Sequence, residues 1–157
     1  MHALPPTFQN WFASKGWSIH PHQQDMLDRA DAPALLLIAP TGGGKTLSGF
    51  LPTLIDLADG THEGMHTLYI SPLKALAADI KRNLTTPVAE MNLPVTIDDR
   101  TGDTPQSRRK RQRADPPNIF LTTPESLALL TSYDDAHRMF KGLKRVVIDE
   151  IHALAES

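Results

Sequence analysis

The chain has 157 residues, enough for about one domain with a buried core, and its 40% hydrophobic and 22% charged residues are ordinary for a globular protein. A net charge of −2 excludes a general attraction to nucleic acid, so such binding would need a local patch. The absence of cysteine excludes disulfides and thiolate metal sites, and no apolar run reaches the roughly eighteen residues of a membrane span. With no signal-peptide pattern at the N-terminus, we expect a cytoplasmic chain without membrane contact.

Short apolar runs alternate with helix-compatible segments along the chain. Phe8, Trp11 and Phe12 have helical spacing, and we interpret them, together with Trp17, as core packing rather than as a base-stacking surface of Trp11 or Trp17. Pro21 opens a second short helix that ends near Ala30. The predicted strands are Ala34–Ala39, Thr67–Ile70, Val95–Asp99, Asn118–Thr122 and Arg145–Asp149, and the predicted helices between them are Thr46–Ala58, Lys74–Asn83, Gln106–Ala114 and Glu125–Leu130. This alternation predicts an α/β fold, with a mostly parallel sheet and helices on both faces. The alternating pattern of Val95-Thr96-Ile97 favours an outer strand.

A phosphate-binding loop follows the first predicted strand. The segment Ala39-Pro40-Thr41-Gly42-Gly43-Gly44-Lys45-Thr46 fits the pattern G-x-x-x-x-G-K-[ST] if Ala39 takes the first position. In such a loop the backbone N–H groups surround a polyphosphate, Lys45 reaches the β- and γ-phosphates, and the Thr46 hydroxyl holds Mg²⁺. Glycine is needed because a side chain would block the approach of backbone to phosphate. We therefore assign Thr41, Gly42, Gly43, Gly44, Lys45 and Thr46 to a nucleoside triphosphate site.

An acidic pair follows the last predicted strand. Asp149 comes directly after the apolar run Val146-Val147-Ile148, where a carboxylate can hold Mg²⁺, usually through water, opposite Thr46. Glu150 is then placed to polarise the water that attacks the γ-phosphate, which favours hydrolysis over simple binding. We predict Lys45, Asp149 and Glu150 as catalytic residues, and Thr46 and Asp149 as the magnesium ligands.

Each predicted strand is followed at once by a polar or Gly/Pro-containing cluster. In order, these clusters are Pro40–Thr46, Ser71–Lys74, Thr101–Asp103, Thr123–Glu125 and Asp149–His152. Any one of them could be a simple turn, since X-Pro and Gly-Asp are turn formers. In an open parallel sheet, however, ligands bind beyond the carboxyl ends of the strands. Together the clusters predict one functional edge.

At Asp149-Glu150-Ile151-His152 the sequence resembles the DExH box of superfamily 2 helicases. Other clusters are similar to motifs of that superfamily in the same order: Pro21-His22-Gln23 to the glutamine motif, Ser71–Leu76 (SPLKAL) to motif Ia, Arg100–Thr104 (RTGDT) to the TGD element, and Thr122–Leu127 (TTPESL) to motif Ib. The combination is most similar to the large helicase-related (Lhr) group, and within it to the bacterial ligase-associated DNA damage response DEXH-box helicases. The resemblance spans nearly the whole chain.

The resemblance implies a RecA-like P-loop NTPase lobe that binds ATP and Mg²⁺ and tracks along single-stranded DNA in DNA repair. It implies an adenine contact for Gln23, and contacts with the sugar-phosphate backbone for Ser71, Lys74, Thr101, Thr123 and Glu125. A DNA ligase or another repair factor is an implied partner. We divide the chain into an N-terminal helical segment with the glutamine motif, residues 1–30, and a truncated helicase ATP-binding domain, residues 31–157.

The family's second RecA-like lobe and its arginine finger are not among these motifs. Such a finger contributes on the order of 10³–10⁵ in rate in related phosphoryl-transfer enzymes. We therefore expect a lobe that is incomplete at the C-terminus, binds ATP, hydrolyses it negligibly and unwinds nothing alone.

Three questions stay open from the residues. The same lobe could grip RNA, and the nucleotide site could serve a stand-alone binding module without a motor cycle. The basic run Arg108-Arg109-Lys110-Arg111 with Arg113 is either a DNA contact or a solvated helix surface, and Asp98, Asp99, Asp103 and Asp115 offset its charge.

Overall fold

The computed structural model describes residues 3–35 and 45–150, and Lys45 by its backbone alone. In these ranges the helices are α1 (Pro6–Ser14), α2 (Pro21–Asp28), α3 (Lys45–Leu57), α4 (Lys74–Glu90), α5 (Gln106–Ala114), α6 (Pro124–Thr131) and α7 (Ala136–Met139). The strands are β1 (Thr67–Ile70), β2 (Ile97–Arg100), β3 (Ile119–Thr122) and β4 (Arg145–Ile148).

The four strands form one parallel sheet in the order β2-β3-β1-β4. In the register, Leu68 of β1 lies between Phe120 of β3 and Val146 of β4. Parallel strands joined by helical crossovers need both faces of the sheet covered, and that is the arrangement found. The predicted parallel α/β sheet is therefore confirmed. Strand β2 lies at one end of the described sheet, as its alternating pattern predicts.

Helices cover both faces of the sheet because successive strand residues point to opposite sides. On one face, α1 to α4 pack against the sheet through a buried core that includes Phe8, Trp11, Leu27, Phe50, Leu51, Leu54, Tyr69, Leu84, Ile119 and Leu121. On the other face, Leu68 and Phe120 pack against Leu130 of α6 and Met139 of α7. The N-terminal helices thus share a core with the sheet, and the boundary at residue 30 stays a prediction.

Most predicted boundaries agree with the observed ones within one or two residues, and three differences have a clear local cause or add an element. Helix α4 continues seven residues beyond the predicted end at Asn83, through Pro87, because buried Leu84 and Pro87 pack there and offset the missing proline N–H. Strand β2 begins at Ile97 rather than Val95, since the Thr96 N–H donates to the Asn118 side chain (3.0 Å). Helix α7 was not predicted; it buries Met139. In the predicted strand Ala34–Ala39, the residues from Leu36 onward lie outside the described residues.

None of the helices described between residues 3 and 35 or between residues 45 and 150 is long and apolar enough to span a bilayer.

Candidate functional site

The carboxyl ends of the four described strands bring their polar clusters to one edge of the sheet. The Asp149 N–H donates to the Ile70 carbonyl (3.0 Å), which joins the clusters after β4 and β1. The Ser71 N–H donates to the Thr122 carbonyl (3.1 Å), and the Thr122 hydroxyl donates to the Arg100 carbonyl (2.8 Å), which extends the edge through β3 to β2. The shared edge is confirmed for these four clusters. Residues 40–44, 151 and 152 of the predicted edge lie outside the described residues.

Both carboxylate oxygens of Asp149 are held by hydrogen bonds. The Tyr69 hydroxyl donates to Oδ2 (2.9 Å), and the Glu150 N–H donates to Oδ1 (2.9 Å). Burial, followed by the bond to Asp149, raises the pKa of Tyr69, so the phenol remains a donor at neutral pH. The carboxylate is therefore fixed at the end of β4.

The backbone of Glu150, directly after Asp149, has an uncommon conformation. Glu150 has a φ of 54°, in the left-handed region. A residue other than glycine adopts that region at a cost on the order of 1–3 kcal/mol, and such residues cluster at functional sites. The predicted water-activating residue therefore has a strained backbone directly beside the predicted magnesium ligand.

The predicted phosphate-binding residues lie only partly within the described ranges. Thr41, Gly42, Gly43, Gly44 and the Lys45 side chain are outside them. Helix α3 begins at Lys45, and Thr46 lies half-buried in its first turn. The predicted loop therefore leads into a helix N-terminus, where backbone N–H groups favour a phosphate.

A cavity of about 570 Å³ adjoins the first turn of α3. This volume is within the usual range for a small-molecule site. Its lining includes Trp11, Trp17, His20, Gln23, Thr46 and Leu47, with Asn83, Thr86 and Glu90 from α4.

Trp17 and Gln23 are the cavity residues best suited to a flat base. Trp17 is 52% exposed and meets buried Trp11 edge-on, with ring centroids 5.4 Å apart. The prediction of core packing is therefore confirmed for Trp11 and wrong for Trp17. Gly16, at a φ of 68°, ends α1 and directs the chain away from the core before Trp17. Gln23 is buried, and its Oε1 accepts the His20 N–H (2.8 Å) at the start of α2. The predicted adenine contact of Gln23 stays a prediction.

The five predicted nucleic-acid residues divide by exposure. Ser71, Thr101 and Thr123 are buried, and their hydroxyls accept the N–H groups of Leu73 (3.3 Å), Asp103 (3.2 Å) and Ser126 (3.4 Å), respectively. They shape the turns after β1, β2 and β3. Lys74 and Glu125 expose their side chains in the first turns of α4 and α6. A strand on this edge would therefore meet these two side chains and the backbone of the turns.

Lys74 is tied to the turn after β2. Its ammonium donates to the Asp103 carboxylate (2.8 Å). This hydrogen bond raises the pKa of Lys74 and lowers that of Asp103, so both stay charged at neutral pH. Because both side chains are largely exposed, the pair contributes little to stability. The Lys74–Asp103 pair does, however, connect motif Ia with the TGD element.

Three of the five cations in the basic run on α5 form hydrogen bonds with other parts of the protein. Arg108 bonds to Asp98 and Asp99, and Arg113 bonds to Asp135 (2.6 Å) and lies over the Tyr133 ring (3.9 Å). Arg109 donates to backbone carbonyls of the turn after β2. Lys110 and Arg111 are exposed. A uniformly solvated helix surface is therefore excluded.

The Asp98 carboxylate is a centre of the contacts between β2, α4 and α5. It accepts from Gln112 (2.9 Å), Arg108 and Lys81 (3.1 Å). Burial alone would raise the pKa of Asp98, but these hydrogen bonds outweigh it and hold the pKa at about 2. The network anchors the basic helix beside the site edge.

Sequence reasoning missed Tyr69 and Arg109 as supporting residues. Tyr69 reads as a core aromatic within an apolar strand, and its partner Asp149 is eighty positions away. Arg109 is one cation in a basic run, and helical spacing alone does not tell which of its members faces the preceding turn.

Comparison with known families gives a match over most of the chain. The family described as DEAD/DEAH box helicase matches residues 20–157. The Lhr helicase/probable uracil glycosylase of Mycolicibacterium smegmatis is 41% identical over 161 residues, covering 94% of this chain and 11% of that protein. The ATP-dependent helicase Lhr-Core of Methanocaldococcus jannaschii is 36% identical and covers 96% of this chain and 20% of that protein.

Solved structures agree with the sequence relatives. The structure of the Mycobacterium smegmatis helicase Lhr bound to ssDNA and AMP-PNP superposes with a TM-score of 0.85 at 39% identity, covering 96% of this chain and 21% of that one. The DUF1998 helicase MrfA bound to DNA and AMPPNP gives a TM-score of 0.82 at 28% identity, covering 97% and 22%. The predicted RecA-like lobe and the resemblance to Lhr helicases are confirmed. The chain spans only about a tenth to a fifth of the length of these sequence relatives.

Proposed function

We propose that this chain, which belongs to the DEAD/DEAH box helicase family, is the ATP-binding motor lobe of an Lhr-type DNA helicase or translocase. The observation that carries the proposal is the edge where all four described strands end, with Asp149 and Glu150 at β4 and the turns of the other motifs beside them. A stand-alone nucleotide-binding module needs the acidic pair but has no use for the turns after β2 and β3.

The nucleotide roles follow from residue chemistry. Lys45 is the electrostatic clamp on the β- and γ-phosphates, and Glu150 orients the attacking water. Gln23 reads the adenine edge and Trp17 stacks on the base within the cavity. Trp17 offers a larger contact area to the base than Gln23 does, since its ring is exposed and Gln23 is buried.

A magnesium ion fits the donor set. Carboxylate and hydroxyl oxygens are the hard ligands that Mg²⁺ prefers, and Asp149 with Thr46 supplies them. Tyr69 and the Glu150 N–H set the orientation of the Asp149 carboxylate, as hydrogen-bond partners of a metal ligand do. When bound, the ion neutralises charge on the transferring phosphoryl group.

Single-stranded DNA is the polymer that we propose for the edge. Two structural neighbours are bound to DNA, one of them to ssDNA. Lys74 offers a charge, and the Glu125 N–H in the first turn of α6 offers a backbone donor to a phosphate. Ser71 and Thr101 would act through the backbone of their turns, and Glu125 would flank the strand.

The named relatives are much longer than this chain, and their helicase activity involves more than this one lobe. We propose that unwinding and fast ATP turnover need a second RecA-like lobe, and that the 157-residue chain alone hydrolyses ATP negligibly. A role in DNA repair, with a ligase or another repair factor as partner, rests on the sequence resemblance.

Two titrations test the proposal. Fluorescent mant-ATP with Mg²⁺ measures nucleotide binding, and the anisotropy of labelled oligo(dT) with AMP-PNP measures polymer binding. We expect both to saturate, with oligo(dT) bound more tightly than oligo(U). Tighter binding of oligo(U) would assign the lobe to RNA, and nucleotide binding without either polymer would make the chain a nucleotide-binding module.

A further inference from the structure

The turn after β2, Thr101-Gly102-Asp103-Thr104, is folded on itself. The Thr101 N–H donates to the Thr104 hydroxyl (3.0 Å), and the Thr104 N–H donates to the Thr101 carbonyl (3.2 Å). The Thr101 hydroxyl accepts the Asp103 N–H (3.2 Å). These bonds close the turn, but they provide no donor for the carbonyl oxygens of Gly102 and Thr104.

One guanidinium supplies those donors. Arg109 donates from Nε to the Thr104 carbonyl (2.8 Å), and from Nη2 to the carbonyls of Gly102 (3.0 Å) and Thr101 (3.2 Å). Three carbonyls of four consecutive residues therefore converge on one side chain. A guanidinium holds five N–H donors in a rigid planar fork and can do this, whereas a lysine ammonium at the end of a flexible stem cannot reproduce the geometry.

Two cations therefore bond to different groups of this turn. Arg109 donates to its carbonyl oxygens, and the exposed Asp103 carboxylate accepts from Lys74 of motif Ia. Carbonyl oxygens without donors at this edge would repel a phosphate, because they carry partial negative charge. The backbone at exposed Gly102 is also sterically open, since an added Cβ there would meet no atom of the described residues within 4 Å.

We propose that Arg109 is a positioning residue of the polymer-binding edge: it holds the carbonyls of the Thr101–Thr104 turn away from the bound strand without touching the strand itself. This inference rests on the proposed binding of single-stranded DNA. It assigns the basic helix α5 a role through the turn rather than as a phosphate-binding surface. The Arg111 side chain, exposed on the same helix, makes no hydrogen bond or ion pair with any described residue, so Arg111 provides a matched control.

The test compares R109K, which keeps the charge and loses the fork, with R109A and with R111K and R111A. Affinity for labelled oligo(dT) is measured over a salt series, mant-ATP binding is measured in parallel, and hydrogen exchange is followed for peptides that cover the turn. We expect R109K to weaken oligo(dT) binding about tenfold, to speed exchange in the turn and to leave mant-ATP binding unchanged. The salt slope should stay at the wild-type value, and R111K should match wild type throughout.

Three other results would overturn the inference. If R109K binds oligo(dT) within twofold of wild type while R109A lowers the salt slope by about 0.7, Arg109 contacts a phosphate directly. If R109K loses mant-ATP binding as well, its role is general stability. If the wild-type chain binds mant-ATP but no oligo(dT), the proposed polymer function fails first, before any variant is compared.

Discussion

Replacing Tyr69 with phenylalanine should weaken the magnesium-dependent part of nucleotide binding. The change removes one hydrogen bond to a charged carboxylate, Tyr69 Oη to Asp149 Oδ2 at 2.9 Å. Bonds to charged groups contribute about 1.5–3 kcal/mol, and loss of a residue that orients a metal ligand costs roughly 10–100-fold in metal affinity. The Tyr69 ring is buried against Phe50, with centroids 5.7 Å apart, and phenylalanine keeps that packing.

The assay is a Mg²⁺ titration of mant-ATP fluorescence. We expect the half-saturating Mg²⁺ concentration to rise about tenfold in Y69F. The affinity for mant-ATP measured without Mg²⁺ should change less. Tyr133→Phe is the matched control, since Tyr133 packs under Arg113 rather than against an acidic residue of the site. A wild-type Mg²⁺ dependence in Y69F would refute the orienting role of Tyr69.

Three further predictions concern base stacking, the turn after β2 and acid stability. Trp17→Ala should weaken mant-ATP binding about tenfold and Trp17→Phe much less, because base–aromatic stacking contributes about 1–3 kcal/mol; equal affinities would remove Trp17 from the base site. Gly102→Ala should leave the unfolding free energy within about 0.5 kcal/mol, because the added Cβ meets open space, and yet weaken oligo(dT) binding. If binding is unchanged, the strand does not approach this backbone. Asp98→Asn should destabilise the chain by about 2 kcal/mol at pH 7 in urea denaturation, since the folded-state pKa of Asp98 lies at about 2 against an ordinary value of 3.8. That stabilisation is present above about pH 4 and is lost as the pH falls towards 2, so the difference from wild type should shrink over this window; a difference independent of pH would assign it to packing.

Most of the sheet was predictable from sequence because β1, β3 and β4 are short, largely apolar runs. Strand β1 matches its prediction at both ends, and parallel order follows from the alternation of strands and helices. The boundary errors have local causes that a pattern does not show. Pro87 remains inside α4 because the core buries it, and the Asn118 side chain takes the N–H of Thr96 before β2 begins.

The sequence predicted those parts of the candidate site that depend only on residue type and on position after a strand. The acidic pair after β4 and the turns after β1, β2 and β3 come to one edge because parallel strands end together. Supporting contacts were not predictable, since they depend on which side chains converge in space. The three carbonyls on Arg109 and the phenol on Asp149 are of this kind. Trp17 shows the converse, because aromatic spacing predicted burial and the chain leaves α1 at Gly16 instead.

The most direct test of the nucleotide site is the affinity of Lys45→Ala for mant-ATP with Mg²⁺, measured beside Arg111→Ala as a control for lost charge. We expect K45A to bind at least tenfold more weakly than wild type, because the clamp on the β- and γ-phosphates is gone, and R111A to bind as wild type does. Equal affinity of K45A and wild type would contradict the assignment of this chain as an ATP-binding motor lobe.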